Sequence, residues 1–246
     1  MSVFHFKRFD VVNEASAMKV NTDGVLLGAA VTLSDHDRLV LDAGTGTGTI
    51  ALMLAQRYSD MNIPEGLEIT GIDIDEPSAS EASANFVSSP WSAGLRAEHC
   101  ALSDYHPGGK LDLIVSNPPF FEDSLLPPEA RRGMAKHTAS DAMSYVELVD
   151  FAREHLSGDG RLSLILPADR ETGLLRYAVS CGLVPFRILR VRTTPQKAPS
   201  RVVVEFAMAA SELVTEELTI QDIRNYPENK NGYTPEYIAL TGDFYL

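Results

Sequence analysis

Cysteine is scarce: Cys100 and Cys181 are the only two in 246 residues, and no CxxC or closely spaced His/Cys set accompanies them. Two thiols cannot build a disulfide framework, and this spacing offers no zinc site, so no metal is expected. No apolar run approaches the roughly 18 residues of a membrane helix, and the opening MSVFHFKRFD lacks a signal-peptide core. A cytoplasmic protein is the expectation. Basic residues are also in the minority, 21 against 34 acidic, for a formal charge of −13. That balance argues against indiscriminate nucleic-acid binding, which needs clustered Lys and Arg to neutralise phosphates. There is no internal repeat and no low-complexity tract. What is present, 44% apolar and 22% charged residues, suits one globular domain or a domain with a small appendage.

The bases are unevenly spread. No acidic residue falls between Glu171 and Glu205, whereas Arg176, Arg187, Arg190, Arg192, Lys197 and Arg201 all do. Two readings stand: a local basic face on an acidic protein, or a surface whose bases are paired with acids from elsewhere in the fold.

Alternating strand and helix patterns organise the chain. Residues 39–41 read as a strand before a glycine cluster, and 50–58 as the helix after it. A second strand, 67–72, precedes a helix at about 76–87. A third, 111–115, leads into a Pro-rich loop, a helix near 142–155 and the strand 161–166. This alternation predicts βα units around a mainly parallel, buried sheet. Residues 186–191 and 202–207 are strand-like runs joined by a polar loop without a helix, which predicts an antiparallel hairpin at the sheet's edge. Before the first strand, DGVLLGAAV predicts a short helix capped by Thr22 or Asp23. From Ser211 onward the pattern weakens, although Tyr226, Tyr233, Tyr237, Phe244 and Tyr245 predict a C-terminus packed back on the rest. One domain over 1–246 is expected, with an N-terminal segment 1–38, a core 39–210 and a C-terminal segment 211–246.

Two motifs carry chemistry. Asp42-Ala-Gly-Thr-Gly-Thr-Gly48 lies between strand and helix, where glycines let the backbone turn tightly and approach a ligand. GxGxxG fails from Gly44, where Thr49 occupies the last position, but the looser GxGxxA fits from Gly46 with Ala51. Asp42 directly before the glycines disfavours a phosphate there and favours a ligand that is cationic or rich in hydroxyl and amine donors. The second strand ends in Gly-Ile-Asp73-Ile74-Asp75. Asp73 is placed to accept ribose hydroxyls, Ile74 to support an adenine ring, and Asp75 to cap the following helix.

The second motif is Ser116-Asn117-Pro118-Pro119-Phe120-Phe121. Two prolines fix φ and push Asn117 out of helical geometry, so its side-chain oxygen and the Pro118 carbonyl are held as stationary acceptors. Two acceptors converging on one point suit an NH₂ group, with Phe120 as a stacking surface. An ordinary Pro-containing turn is the competing explanation. Placement after a parallel strand, on the sheet edge that also carries the glycine loop, favours function.

Together these motifs resemble the class I S-adenosylmethionine-dependent methyltransferases, and the NPPF loop resembles their amino-methylating branch. FKRF at 6–9, AMKVNTDGVLLG at 17–28, LIVSNPPFF at 113–121 and the ending YTPEYIALTGDFYL are similar to the bacterial tRNA1(Val) (adenine-37-N6)-methyltransferase family, over almost the whole chain. The resemblance implies an α/β fold, a doubly wound, mainly parallel seven-stranded sheet with a terminal antiparallel hairpin. It implies S-adenosyl-L-methionine as cofactor, held by Asp42, Gly44, Gly46, Gly48, Asp73, Ile74 and Asn117, with Lys19, Thr22 and Asp23 closing over it. Leu102 stands where relatives commonly carry the Asp that binds the cofactor's adenine amine, so Asp104 or a backbone group must take that role. Asn117, Pro118, Pro119 and Phe120 would hold a splayed-out adenine of a valine tRNA anticodon loop. RNA phosphates would meet Arg131, Arg132 and Lys136, or Arg187, Arg190, Arg192, Lys197 and Arg201. A monomer is expected. Glutamine N5-methylation of a protein such as a release factor uses the same loop chemistry and stays open, as does another RNA substrate. A catalytically silent RNA-binding scaffold is the rival of a different class.

Overall fold

The computed structural model describes residues 2–16, 18–62, 66–118, 143–209, 212–226 and 229–245. Its centre is an eight-stranded sheet. The strands are β3 (Leu39–Ala43), β4 (Glu68–Asp73), β5 (Leu95–His99), β6 (Leu111–Ser116), β7 (Leu156–Pro167), β8 (Val184–Arg192), β9 (Arg201–Ala207) and β10 (Val214–Thr219), in the spatial order 10-8-9-7-6-3-4-5. Only β9 runs antiparallel to its neighbours. The helices are α1 (Thr22–Ala30), α2 (Thr49–Asp60), α3 (Glu76–Ser88), α4 (Tyr145–His155), α5 (Glu171–Ser180) and α6 (Pro235–Thr241).

The apolar strand runs explain the layering. Neighbouring residues point to opposite faces of a strand. Val40, Leu113, Val115 and Val203 join one buried cluster, with residues of α1, α2, α3 and α6. Leu41, Ile114, Val202 and Val204 join a second, with α4 and α5. Both faces of the sheet are thus covered, as the near-continuous apolar strands require. Among the described residues, no helix is long and apolar enough to cross a membrane.

Three expectations need correction. The sheet has eight strands, not seven, because β10 pairs in parallel with β8 and so replaces the β8–β9 hairpin at the edge. Its sequence, VTEELT, is mostly exposed and leaves too little apolar signal to read. A small separate sheet pairs β1 (Val3–His5) with β2 (Asp10–Val12). The cap of α1 is Asn21, whose side-chain oxygen accepts the Gly24 N–H at 2.9 Å, rather than Thr22 or Asp23. Asp75, by contrast, does cap α3. The C-terminal residues reach the N-terminal sheet: Lys7 N–H donates to the Phe244 carbonyl at 2.7 Å, and the Tyr237 and Tyr245 hydroxyls share a hydrogen bond.

Candidate active site

The chain leaves β3 for β4 and β5 on one side, then returns as β6 on the other. The crevice beyond the carboxyl ends of β3 and β6 is therefore the switch point of the sheet, the usual ligand position in open α/β folds. The Ser116 hydroxyl donates to the Ala43 carbonyl at 2.7 Å and ties these two ends together.

The glycine loop follows β3. Gly44, Gly46 and Gly48 all have positive φ, +72°, +55° and +81°. Gly48 is doubly constrained, since a Cβ there would also strike the Phe86 ring. Asp42 is 0% exposed. Its Oδ2 accepts the Thr45 hydroxyl at 2.7 Å and the Ala51 N–H at 3.2 Å, which folds the loop onto the start of α2. Its Oδ1 is buried and has no hydrogen-bond partner among the described residues. Burial pushes the carboxyl up to about 7, against the lowering effect of those two donors, with nearby Asp73 adding a smaller push.

At the end of β4, Asp73 accepts the Gly46 N–H at 2.8 Å on one oxygen and the Asp75 N–H at 2.9 Å on the other. Burial raises its pKa. Each carboxylate oxygen retains acceptor capacity beyond one bond. Ile74, next along, is 48% exposed, so an apolar face is available beside that carboxylate. Leu102 opens a 3₁₀ turn, Leu102–Asp104, and packs against the second core cluster, while Asp104 is exposed.

Beyond β6, Asn117 and Pro118 are both buried. Asn117 Nδ2 lies 3.6 Å from Met18 Sδ, whereas its Oδ1 has no hydrogen-bond partner among the described residues. A buried carbonyl oxygen without a donor is costly unless something with an N–H or O–H completes it. Pro119, Phe120, Phe121, Arg131, Arg132 and Lys136 lie outside the described residues.

The N-terminal segment does reach this crevice. A Cβ on Gly46 would lie 3.5 Å from Ser16 Oγ and 3.6 Å from the Met18 carbonyl. Lys19 is exposed, and its ammonium donates to the Glu14 carbonyl at 2.6 Å. Thr22 is exposed in the first turn of α1, and Asp23 pairs with Arg201 at 2.7 Å. Sequence reasoning missed Ser16, Met18, Glu81 and Asn85. The available signal was polar Ser78, Glu81 and Asn85 at helical spacing on a face of α3 that should otherwise be apolar.

The basic interval proves to be largely paired. Arg187 binds Glu205 at 2.8 Å and Glu216 at 2.6 Å, Arg190 binds Glu171 at 2.5 Å, and Arg192 binds Glu217. No ion pair of the exposed Lys197 is found among the described residues. Since β9 starts beside the end of β7, Arg201 and the loop carrying Lys197 stand on the same sheet edge as the glycine loop.

Residues 16–173 match the methyltransferase small domain family. Over 246 residues the chain is 39% identical to the tRNA1(Val) (adenine(37)-N6)-methyltransferase of Flavobacterium psychrophilum, with 99% of each chain covered. Among solved structures, a predicted O-methyltransferase of Agrobacterium tumefaciens superposes with a TM-score of 0.65 at 17% identity, over 89% of this chain and 95% of that one. The 16S rRNA N2 G1207 methyltransferase of T. thermophilus, solved with AdoMet and guanosine, gives 0.54 at 19% identity, over 85% of this chain and 50% of that one. These two likenesses concern the fold.

Proposed function

The chain belongs to the methyltransferase small domain family, and from that membership we propose that it methylates N6 of adenine 37, beside the anticodon of a valine tRNA, using S-adenosyl-L-methionine. The observation that carries this reading is the Asn117 side-chain oxygen, buried and without a donor among the described residues, at the switch point of the sheet. An exocyclic amine brings the donor that this oxygen lacks, and the Pro118 carbonyl can accept a hydrogen bond from the amine's second N–H.

The cofactor supplies a methyl group already activated by its sulfonium. The protein's work is therefore alignment and electrostatics. Hydrogen bonds from N6 to Asn117 and Pro118 favour a more tetrahedral nitrogen and stabilise the positive charge that develops on it. No strong general base is needed, because the alkylated nitrogen is acidic enough to release its proton afterwards. Asp73 keeps acceptor capacity for two ribose hydroxyls of the cofactor, Ile74 would offer its exposed apolar face to the adenine ring, and the turn at Leu102 would supply the partner of the adenine amine. Gly44, Gly46 and Gly48 line the methionine part, with Asp42 shaping the loop. Lys19, Thr22 and Asp23 would close over it, and Pro119 and Phe120, outside the described residues, are assigned the rest of the grip on the target base.

For the RNA backbone, Lys197, unpaired among the described residues, is the cation we assign on the site edge, with Arg201 beside it divided between Asp23 and phosphate; Arg131, Arg132 and Lys136, outside the described residues, are the further cations we assign. Arg187, Arg190 and Arg192 are already bound to carboxylates and frame the sheet edge instead. Residues 1–246 act together as one cytoplasmic, monomeric catalytic unit.

The test is methyl transfer from labelled S-adenosylmethionine to total unmodified tRNA, with nucleoside digestion and mass spectrometry. N6-methyladenosine in a valine tRNA, absent with Asn117→Ala, is the expected result. A protein that binds the cofactor yet methylates no tRNA, and instead modifies a glutamine side chain, would overturn it.

A further inference from the structure

Glu81 is 7% exposed on α3, and its carboxylate pairs with no cation among the described residues. It accepts three consecutive backbone N–H groups instead: those of Glu14 at 2.6 Å and Ala15 at 2.8 Å on one oxygen, and that of Ser16 at 2.9 Å on the other. Successive N–H groups turned toward one point form a concavity that favours an anion, and here the anion is supplied by the chain itself.

The flanking turns of the same helix face grip the same segment. Four residues on, Asn85 accepts the Val12 N–H at 2.8 Å and donates to the Val12 carbonyl at 3.0 Å, a side-chain imitation of strand pairing. It also donates to the Thr47 carbonyl of the glycine loop at 2.9 Å. Three residues before Glu81, the Ser78 hydroxyl meets the Ser16 hydroxyl at 3.1 Å and also binds Asp75. Spacings of three and four place all three side chains on one side of α3. The segment they hold then continues over the crevice: the Ser16 hydroxyl donates to the Met18 carbonyl, Ser16 and Met18 cover Gly46, and Met18 reaches Asn117.

We propose that Glu81, assisted by Ser78 and Asn85, is a positioning residue that fastens residues 12–16, and through Ser16 also Met18, as a strap over the glycine loop and so sets the affinity for the methyl donor. It touches neither the donor nor the target base. Its effect passes through Ser16 and Met18 to Gly46 and Asn117. Without the carboxylate, three N–H groups lose their common acceptor and the strap can lift toward water. A side-chain amide in its place retains acceptors for part of the set and presents its own N–H to the rest, so Glu81→Gln should be intermediate and Glu81→Ala stronger. The proposal rests on the methyl-donor assignment and not on the choice of RNA.

The test therefore uses no tRNA. Calorimetric titration with S-adenosylhomocysteine should give a Kd raised several-fold in Glu81→Gln and tenfold or more in Glu81→Ala. In the ligand-free proteins, trypsin cleavage after Lys19, in the segment that the strap leads into, should speed up in the same order. The melting temperature of the free protein reports whether each variant is folded. If Glu81→Ala does not fold, Glu81→Gln and Ser78→Ala carry the comparison, with the same direction expected for both readouts. Parent-like affinity, within twofold, in a folded Glu81 variant overturns the proposal. So does weakened affinity with no faster cleavage at Lys19, since the effect would then bypass the strap. Failure of tRNA methylation with these results intact would count against the RNA reading alone.

Discussion

Asp42 and Glu205 are equally buried, each 0% exposed, yet their surroundings are opposite. Glu205, in the middle of β9, accepts from the Thr32 N–H and hydroxyl at 2.9 Å each, from the Ser163 hydroxyl at 2.8 Å and from Arg187 at 2.8 Å. Asp42 has two donors on one oxygen, none on the other among the described residues, and no cation. Asp37 repeats the Glu205 pattern, with Tyr58, Arg161 and the Ser34 N–H on one oxygen. In the scaffold, buried charge is closed off by partners. At the crevice, the oxygens of Asp42 and Asn117 are left open. Unsatisfied buried groups cost stability; Gln56 Oε1 and Arg192 Nε also lack a partner among the described residues, so what sets the crevice apart is two open acceptor oxygens, those of Asp42 and Asn117, at the ends of the adjacent strands β3 and β6.

The contrast can be broken most directly by removing Glu205. Glu205→Ala leaves Arg187 with Glu216 but removes its buried carboxylate and the acceptor of Thr32 and Ser163, and should lower unfolding stability by about 3–5 kcal/mol, the scale for breaking a buried pair. A urea midpoint close to the parent's would show that the network is not structural. Asn117→Ala should behave in the opposite way. It leaves the melting temperature nearly unchanged and lowers the rate of methyl transfer by about 10²–10³-fold, the scale for losing one preorganised polar contact to developing charge. Equal loss of stability and rate would erase the distinction between scaffold and site.

Asp42 offers a sharper version. Its folded pKa is raised to about 7, above an unfolded value of about 3.9. The folded state therefore binds the proton more tightly, and stability is fully present below about pH 4 and lost as the pH climbs through about 7. Asp42→Asn carries no such charge. The stability difference between variant and parent should widen in the variant's favour across that window, by an order of a few kcal/mol, and then level off. A difference independent of pH, read from urea titrations of the free proteins, would remove the burial argument.

The smallest effect is expected at the surface. Replacing Lys197 and Arg201 together should raise the apparent KM for RNA several-fold and reduce the slope of log affinity against log salt by roughly one to two. S-adenosylhomocysteine affinity should be unchanged by replacement of Lys197 alone, since Arg201 also holds Asp23. An unaltered salt slope would assign RNA contact to another face.

Much of this was legible along the chain because it depends on near neighbours. The Asp75 cap, the strand-glycine-helix passage at 42–48 and the place of Asn117 and Pro118 just after β6 each concern a few consecutive residues and their φ preferences. The errors share the opposite property. Asn21, Thr22 and Asp23 are all competent caps, and Asn21 prevails because its backbone is extended, at φ −142° and ψ 166°. Asp23 meanwhile turns to Arg201, 178 residues away. The basic interval lost its apparent excess for the same reason, since Glu216 and Glu217 arrive on β10, a strand whose pairing with β8 leaves little mark on its composition.

By itself the amino-acid order determined the alternation of strands and helices, the glycine loop after β3, the Asn117-Pro118 step after β6 and the resemblance they carry, since turns and buried strands are specified by local steric and apolar pattern. Tertiary structure alone decided which charges cancel, which buried oxygens stay open and which helix face holds the N-terminal strap. Those outcomes depend on groups brought together across tens to nearly two hundred residues. Electrostatic and hydrogen-bond energies fall off over a few ångströms in space, whatever the distance along the chain.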